Sequence, residues 1–84
     1  MTLNMHTRSV RAVAVSLSGK LIVSGSYDKS VRVWDASTGD ELKVLKGHRD
    51  FVTSVAFSPD GKQIVSGAED FSVRVWDASA GKEL

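Results

Sequence analysis

The sequence predicts an all-β protein built from two versions of one unit. Shifting the 84-residue chain by 42 positions aligns 24 of the 42 residue pairs as identities, and the block SVRVWDAS recurs at residues 30–37 and 72–79. Within each repeat, short stretches rich in Val and Ile alternate with Gly, Ser, Asp and Pro, a pattern typical of strands joined by tight turns. No window shows the 3.6-residue period of a helix. We therefore expect two similar antiparallel sheets.

Each repeat is predicted to contain four strands. They cover residues 10–16, 20–24, 30–34 and 41–46 in the first repeat, and 52–58, 63–66, 72–76 and a strand begun at 83–84 in the second. Ser58-Pro59-Asp60-Gly61 is a strong turn signal because Pro presets φ and Gly accepts a positive φ. Its counterpart at residues 16–19 keeps only the glycine and is a weaker signal.

The first strand of each repeat has one face of large residues and one of small residues. The large residues are Val13 and Val15 in the first repeat and Val55 and Phe57 in the second, and those between them are alanine or serine. A sheet with one face in water would alternate apolar with strongly polar residues. The pattern instead favours stacked sheets, with the large face of one unit on the small face of the next.

The composition excludes several functional classes. With 42% hydrophobic and 25% charged residues and no cysteine, the chain is neither disordered nor a disulfide scaffold. Eleven Lys and Arg against ten Asp and Glu leave a formal net charge of +1, which does not favour nucleic acid or anionic membranes as partners. No apolar run approaches the ~20 residues of a membrane-spanning helix, and no secretory signal opens the chain. We expect a cytoplasmic protein.

The sequence offers little support for catalysis or metal binding. The two histidines lie 42 residues apart without any cysteine, so no zinc site is expected, and no phosphate-binding G-x-x-x-x-G-K motif occurs. Ser, His and Asp recur in both repeats, and these residue types form hydrolase triads. Each Ser, however, lies inside a predicted strand without a G-x-S-x-G turn. We expect no enzyme and no cofactor; the alternative is a Ser-His-Asp hydrolase, which an exposed Ser24 or Ser66 would favour.

Both repeats carry the same polar residues at the same spacing. A His is followed after 18 residues by a strand Ser, four residues later by an Asp, and six later by Trp-Asp. This pattern resembles the WD40 repeat, the four-stranded blade of a β-propeller, which has ~40–45 residues and a G-H…W-D signature. The resemblance covers the whole chain, with Met5 standing where the family has the glycine before His6.

The resemblance implies two four-stranded antiparallel WD40-type blades per chain, with residues 6–47 as repeat 1 and residues 48–84 as repeat 2, its last strand truncated. It also implies a buried, hydrogen-bonded tetrad of His, Ser, Asp and Trp in each blade. Carried over residue by residue, the tetrads are His6, Ser24, Asp28 and Trp34, and His48, Ser66, Asp70 and Trp76. A non-catalytic scaffold for protein interactions is the function implied.

The differences between the repeats cluster in two loops of each unit, the loop before the first strand and the turn between the second and third strands. In a WD40-like blade both lie on one rim of the propeller, which this family commonly uses for partners. We expect protein or peptide partners to contact Tyr27, Lys29, Arg49, Phe51, Glu69 and Phe71, because aromatic residues and Arg often anchor interfaces. Unconstrained drift of exposed loops is the alternative.

Two blades are fewer than the four to eight that close a propeller. Residues 1–5 align with residues 43–47, so joining Leu84 to Met1 continues the repeat in register. We therefore expect a two-blade piece, excised or engineered from a longer array, that assembles head to tail as a homo-oligomer. Residues 1–5 of one chain would complete the last blade of the next, with Thr2, Leu3, Glu83 and Leu84 at the seam. A tetramer of eight blades is expected first and a trimer of six second; an unclosed fragment that aggregates through its edges is the alternative.

Overall fold

A computed structural model describes residues 9–84, whose regular structure consists of strands alone. The seven strands are β1 (Val10–Val15), β2 (Leu21–Ser26), β3 (Ser30–Asp35), β4 (Glu41–Lys46), β5 (Val52–Phe57), β6 (Gln63–Ala68) and β7 (Val73–Asp77). They form two antiparallel sheets with the orders β1-β2-β3-β4 and β5-β6-β7. The all-β class is therefore confirmed. The second blade has three full strands, and its fourth is reduced to one bridge between Trp76 and Glu83.

Strands β2 and β6 end two residues later than the sequence predicted. Glycine usually weakens a strand, and the predicted strands ended just before Gly25 and Gly67, yet both glycines pair within their sheets. The turn begins only after them: the Lys29 amide donates to the Ser26 carbonyl at 3.2 Å, and the Phe71 amide donates to the Ala68 carbonyl at 3.2 Å.

The first-to-second-strand turn has the same form in both repeats. The Gly19 amide donates to the Ser16 carbonyl at 2.9 Å, and the Gly61 amide donates to the Ser58 carbonyl at 2.9 Å. Both glycines have positive φ, 75° and 72°. The loss of Pro and Asp from the first repeat therefore leaves the turn intact, because the left-handed glycine is the requirement that both sequences meet.

The two sheets stack with the small face of the first against the large face of the second. Val23, Val31 and Val33 of the first sheet are buried in the core, and Val55 and Phe57 pack against this core from the second sheet. Gly25 lies at the closest approach, where an added Cβ would stand 2.4 Å from the Cγ1 of Val52. The glycine is therefore required for the two sheets to approach this closely.

The outer face of each sheet remains open. Val31 is fully buried, whereas its second-repeat equivalent Val73 is 71% exposed. On the opposite side of the molecule, Val13 and Val15 are 60% and 58% exposed. The stacked arrangement therefore ends in an exposed large-residue face and an exposed small-residue face. No helix in residues 9–84 is long and apolar enough to span a bilayer.

Candidate interaction surface and its buried tetrads

The second repeat contains a continuous chain of buried side-chain hydrogen bonds. Trp76 Nε1 donates to Ser66 Oγ at 2.8 Å, and Ser66 Oγ lies 2.6 Å from His48 Nε2. His48 Nδ1 lies 3.1 Å from Ser72 Oγ, which donates to an Asp70 carboxylate oxygen. The structure thus brings together the four residues expected to form the second tetrad. His48 and Asp70 do not bond directly, since Nδ1 is 3.9 Å from Oδ2; Ser72 connects them.

One assignment of the protons gives every donor in this chain an acceptor. Trp76 donates to Ser66, Ser66 donates to His48 Nε2, His48 Nδ1–H donates to Ser72, and Ser72 donates to Asp70. The histidine is then neutral, with its proton on Nδ1. Ser72 was missed in the sequence, although its position opens the eight-residue block shared by both repeats.

Asp70 also fixes the loop that precedes β5. Its Oδ2 accepts the backbone N–H of Arg49 at 3.0 Å, and its Oδ1 accepts the backbone N–H of Ser72 at 3.0 Å. Hydrogen bonds from the Ser72 hydroxyl and from the Arg49 amide hold the pKa of this carboxyl far below its usual range. Asp70 therefore stays ionised, and one carboxylate ties the loop at residues 48–51 to the β6–β7 turn.

The described part of the first tetrad repeats this geometry. Trp34 Nε1 donates to Ser24 Oγ at 2.9 Å, and Asp28 Oδ1 accepts both the backbone N–H of Ser30, at 2.9 Å, and its hydroxyl. Ser30 is the equivalent of Ser72. The fourth expected member, His6, lies outside the described residues.

The exposure of the two strand serines bears on the hydrolase alternative. Ser24 is 4% exposed and Ser66 is 1% exposed, and each hydroxyl accepts an indole N–H. A catalytic serine must reach a substrate in a solvent-accessible cleft. Neither serine meets this requirement, and residues 9–84 contain no cluster of three His, Cys, Asp or Glu that could hold a metal ion.

Stability is expected to depend on pH through His48. Burial lowers the pKa of this imidazole below its usual value of 6.5, against the opposing charge of Asp70. The unfolded state therefore takes up a proton first, so the contribution of His48 to stability is present above about pH 6.5 and is lost as the pH falls through the folded-state pKa. The urea midpoint, followed by tryptophan fluorescence, should be lower at pH 5.5 than at pH 7.5. His48→Gln should reduce this difference, and an unchanged difference would contradict the assignment.

The loops at the opposite end of the strands from the Gly19 and Gly61 turns form a continuous surface, called here the loop rim. Tyr27 of the first repeat and Phe51 of the second stack with ring centroids 4.3 Å apart and planes 19° from parallel. The guanidinium carbon of Arg11 lies 4.7 Å from the Tyr27 ring centroid. Two of the expected contact residues are thus brought together across the junction between the repeats.

Arg11 was not among the expected contact residues, and a β-bulge accounts for its position. The pairing of β1 with β2 passes from Val10–Ser26 to Ala12–Gly25, which leaves Arg11 as the extra residue. A bulge redirects the side chain of the extra residue, and Arg11 extends over Tyr27. The loop rim therefore clusters a cation and two stacked aromatic rings around Tyr27.

The other expected rim residues lie on the turns between the second and third strands or, for Arg49, in the loop before β5, and they are exposed. Phe71 is completely exposed and has a φ of 64°, and its first-repeat equivalent Lys29 has a φ of 73°. Residues other than glycine rarely adopt this left-handed conformation. Arg49 and Glu69 are also exposed, and the Glu69 amide donates to the Phe51 carbonyl at 3.0 Å. Phe71 is thus the most exposed aromatic side chain in residues 9–84.

The predicted seam is only partly visible. The Leu84 amide donates to the Val75 carbonyl at 2.7 Å, and both Glu83 carboxylate oxygens accept from Arg74 Nη1. Residues 83–84 thus begin a fourth strand alongside β7, as Glu41 does alongside β3. Thr2 and Leu3, the other residues expected at the seam, lie outside the described residues.

Three curated relatives illustrate what the chain resembles. The WD repeat-containing protein pop1 of Schizosaccharomyces pombe is 62% identical over 47 residues, which are 56% of this chain and 6% of that protein. Dynein assembly factor with WD repeat domains 1 of Homo sapiens is 40% identical over 48 residues, 57% of this chain and 12% of that protein. The probable serine/threonine-protein kinase PkwA of Thermomonospora curvata is 50% identical over 44 residues, 52% of this chain and 6% of that protein.

These matches span about a tenth or less of the relatives' own lengths, so they concern repeat units and not whole proteins. The family model described as WD domain, G-beta repeat, matches the chain twice, at residues 1–35 and 39–77. The two matches include both Trp-Asp pairs and the strand serines bonded to the indoles. The chain therefore belongs to the WD40-repeat family.

Proposed function

We propose that this chain is a non-catalytic scaffold for protein interactions that closes a β-propeller with further copies of itself and presents its loop rim to partners. Proteins of the WD40-repeat family generally serve as such scaffolds. The proposal depends on one comparison between the two repeats. Residues that are buried between the stacked sheets in one repeat have equivalents in the other repeat that are exposed on an outer face.

The contact between the two sheets supplies the template for self-assembly. Val23 and Val31 are completely buried at this contact, whereas their equivalents Val65 and Val73 are 37% and 71% exposed. The large residues Val13 and Val15, exposed at the other end, are equivalent to Val55 and Phe57, which pack against the core. One outer face is thus the complement of the other. Exposed apolar faces of this kind favour association.

Head-to-tail contacts of this type form a closed ring when the rotation between units suits closure. Each chain brings two blades, so a ring holds an even number of them. We favour a tetramer of eight blades, with a trimer of six as the second choice. Residues 1–5 are in register with residues 43–47 and would continue, in the neighbouring chain, the strand that Glu83 and Leu84 begin.

Assembly is expected to give one discrete species. At micromolar concentration, sedimentation or native mass spectrometry of the full chain should yield about 36 kDa, four times the 9.1 kDa of one chain. Val73→Glu places a charge on the open small-residue face and should reduce the mass to that of one chain. Leu17→Glu is the matched control, because Leu17 is 86% exposed in a turn. A wild-type mass of about 9 kDa, that of one chain, would overturn self-assembly.

The loop rim is the surface we assign to partners. Its aromatic and cationic side chains are those that most often anchor interfaces. The loop carrying Phe51 is fixed by the bonds of Asp70 and by the Glu69 amide, so this anchor is held in place before a partner arrives. A preformed surface of this kind lowers the entropic cost of binding.

Replacement of Phe71 is expected to weaken binding at the loop rim. Peptides selected from a displayed library on the full chain should lose about tenfold or more in affinity when Phe71→Lys removes an exposed aromatic anchor. Lys29 occupies the equivalent position at a similar φ, so this change is compatible with the turn. Leu17→Ala should leave the affinity unchanged. If neither Phe71→Lys nor Phe51→Ala affected any selected peptide while the fold survived, the contact assignment would be wrong.

A further inference from the structure

A cavity of about 650 Å³ lies between the two sheets, at the opposite end of the strands from the loop rim. We call it the basal groove. The first sheet contributes the aliphatic side chains of Leu21, Val33 and Leu42, and the second contributes its turns around residues 61–62 and 77–79. Lys43 and Lys62 also line the groove, one from each sheet. Neither the tetrads nor the loop rim uses these residues.

A second β-bulge shapes this groove. The pairing of β3 with β4 passes from Val33–Lys43 to Trp34–Glu41, which leaves Leu42 as the extra residue. Adjacent strand residues normally point to opposite faces, but both Leu42 and Lys43 line the groove. Leu42 is 46% exposed there. The edge strand β4 thus adds both an apolar and a cationic group to the groove.

The lining of the groove carries a net formal charge of +1, because two lysines outweigh the single carboxylate of Asp77. Asp77 also lines it, but its Oδ1 accepts the backbone N–H groups of Ser79, at 2.9 Å, and Ala80, at 2.8 Å, and also the Ser79 hydroxyl. By contrast, neither Lys43 nor Lys62 forms a close ion pair in the described part of the chain. The charge of Lys62 acts on the exposed carboxylate of Asp60, whose pKa is lowered by a hydrogen bond from Ser58 and, to a lesser extent, by Lys62. An occupant with a carboxylate would therefore complement the aliphatic wall and the two ammonium groups.

The two repeats differ in the groups that give the groove this character. Of its nine lining residues, seven have an identical equivalent in the other repeat. The two exceptions are Leu21, whose equivalent is Gln63, and Lys43, whose equivalent is Met1. The groove between the two sheets therefore has an aliphatic side chain at Leu21, where the equivalent residue is Gln63. It has a cationic side chain at Lys43, where the equivalent residue is Met1.

We infer that the basal groove binds a short partner segment in which aliphatic side chains flank a carboxylate. Sites for small polar molecules carry a few fixed polar groups that orient the ligand, whereas Asp77 and Ser79 are engaged with their own turn. Aliphatic contact and two long cationic side chains instead suit a peptide. The inference rests on the proposed scaffold function but concerns a surface separate from the loop rim.

The test uses the full 84-residue chain, labelled with nitrogen-15, and an acetylated, amidated pentapeptide of alternating leucine and glutamate. Saturable amide shifts should centre on Leu21, Gly61 and Ser79. Leu21→Gln and Lys43→Met, each of which introduces the residue found 42 positions away in the sequence, should weaken binding by about fivefold or more. Leu17→Gln is the matched control and should leave binding unchanged.

Several outcomes would overturn the inference. The first is that a peptide with lysine in place of glutamate binds with the same affinity. The second is that both groove variants bind the original peptide as tightly as the wild type. The third is that the amide shifts are confined to the open face around Val65 and Val73. Binding of decanoate in the groove without binding of the peptide would refute the partner segment. Phe71→Lys should not affect this peptide, so a failure here combined with intact binding at the loop rim would remove the groove and leave the scaffold proposal standing.

Discussion

Replacing Ser66 with alanine is expected to lower the free energy of unfolding by about 2–4 kcal/mol. The Ser66 hydroxyl accepts from Trp76 Nε1 at 2.8 Å and lies 2.6 Å from His48 Nε2, in a position only 1% exposed to solvent. Its removal leaves an indole donor and an imidazole nitrogen buried without their partner. A buried polar group left unsatisfied costs about 1–3 kcal/mol, and here two groups are affected together.

Urea denaturation of Ser66→Ala, followed by tryptophan fluorescence, measures this effect. Ser79→Ala is the matched control, because the Ser79 hydroxyl also forms a side-chain hydrogen bond, donating to the Asp77 carboxylate at 3.0 Å, but lies on the surface. The control should lose less than about 0.5 kcal/mol, as is usual for surface substitutions. If Ser66→Ala and Ser79→Ala lost the same free energy of unfolding, the buried hydrogen bonds would contribute no more to stability than a surface hydrogen bond does.

Replacing Gly25 with alanine is expected to cost about 2 kcal/mol, within the range for inserting a methyl group into a packed core. The new Cβ would lie 2.4 Å from Val52 Cγ1, 3.2 Å from Val52 Cβ and 3.1 Å from Val55 Cγ1. Val52 is completely buried, so its side chain has little room to move. The two sheets would have to separate, and the loss of contact between them accounts for the cost.

Gly67→Ala is the matched control, since Gly67 occupies the equivalent position on the open face of the second sheet. There the new Cβ would meet only the Ser54 hydroxyl, at 2.7 Å, which can rotate away. Below the concentration at which chains assemble, this variant should be as stable as the wild type or slightly more stable. At higher concentration it should weaken assembly, because a neighbouring sheet would pack there as Val52 packs on Gly25. A larger loss of stability in Gly67→Ala than in Gly25→Ala would contradict the packing argument.

The buried hydrogen bonds connect stability to the proposed function. The chain from Trp76 to Asp70 begins in the core between the sheets and ends at the backbone of the loop that carries Phe51. Weakening these hydrogen bonds should therefore loosen the loop rim as well as the core. Variants of Ser66 are expected to reduce partner affinity indirectly, whereas Phe71→Lys should reduce it without changing stability.

Local patterns in the sequence predicted the fold class, and the family resemblance pointed to the second tetrad and to the three described members of the first. A period of 42 residues and alternating strand faces are local patterns, and they survive in the structure because each strand pairs with its neighbour in sequence. The spacing from Ser66 to Trp76 likewise places these two residues on adjacent strands of one sheet, and His48 lies in the loop before β5. Short connections and antiparallel pairing leave little freedom in such a unit, so local pattern was sufficient.

Other features follow from contacts that exist only in the folded chain. Gly25 and Gly67 lie within strands because each pairs with a residue of both neighbouring strands, whereas the sequence predicted each strand to end one residue before its glycine. Ser72 joins the hydrogen-bond chain because the 3.9 Å gap between His48 and Asp70 leaves a place for its hydroxyl. Arg11 and Leu42 point where they do because β-bulges redirect them. Each of these features depends on contacts or registers between strands, and a linear pattern of residue types does not encode them.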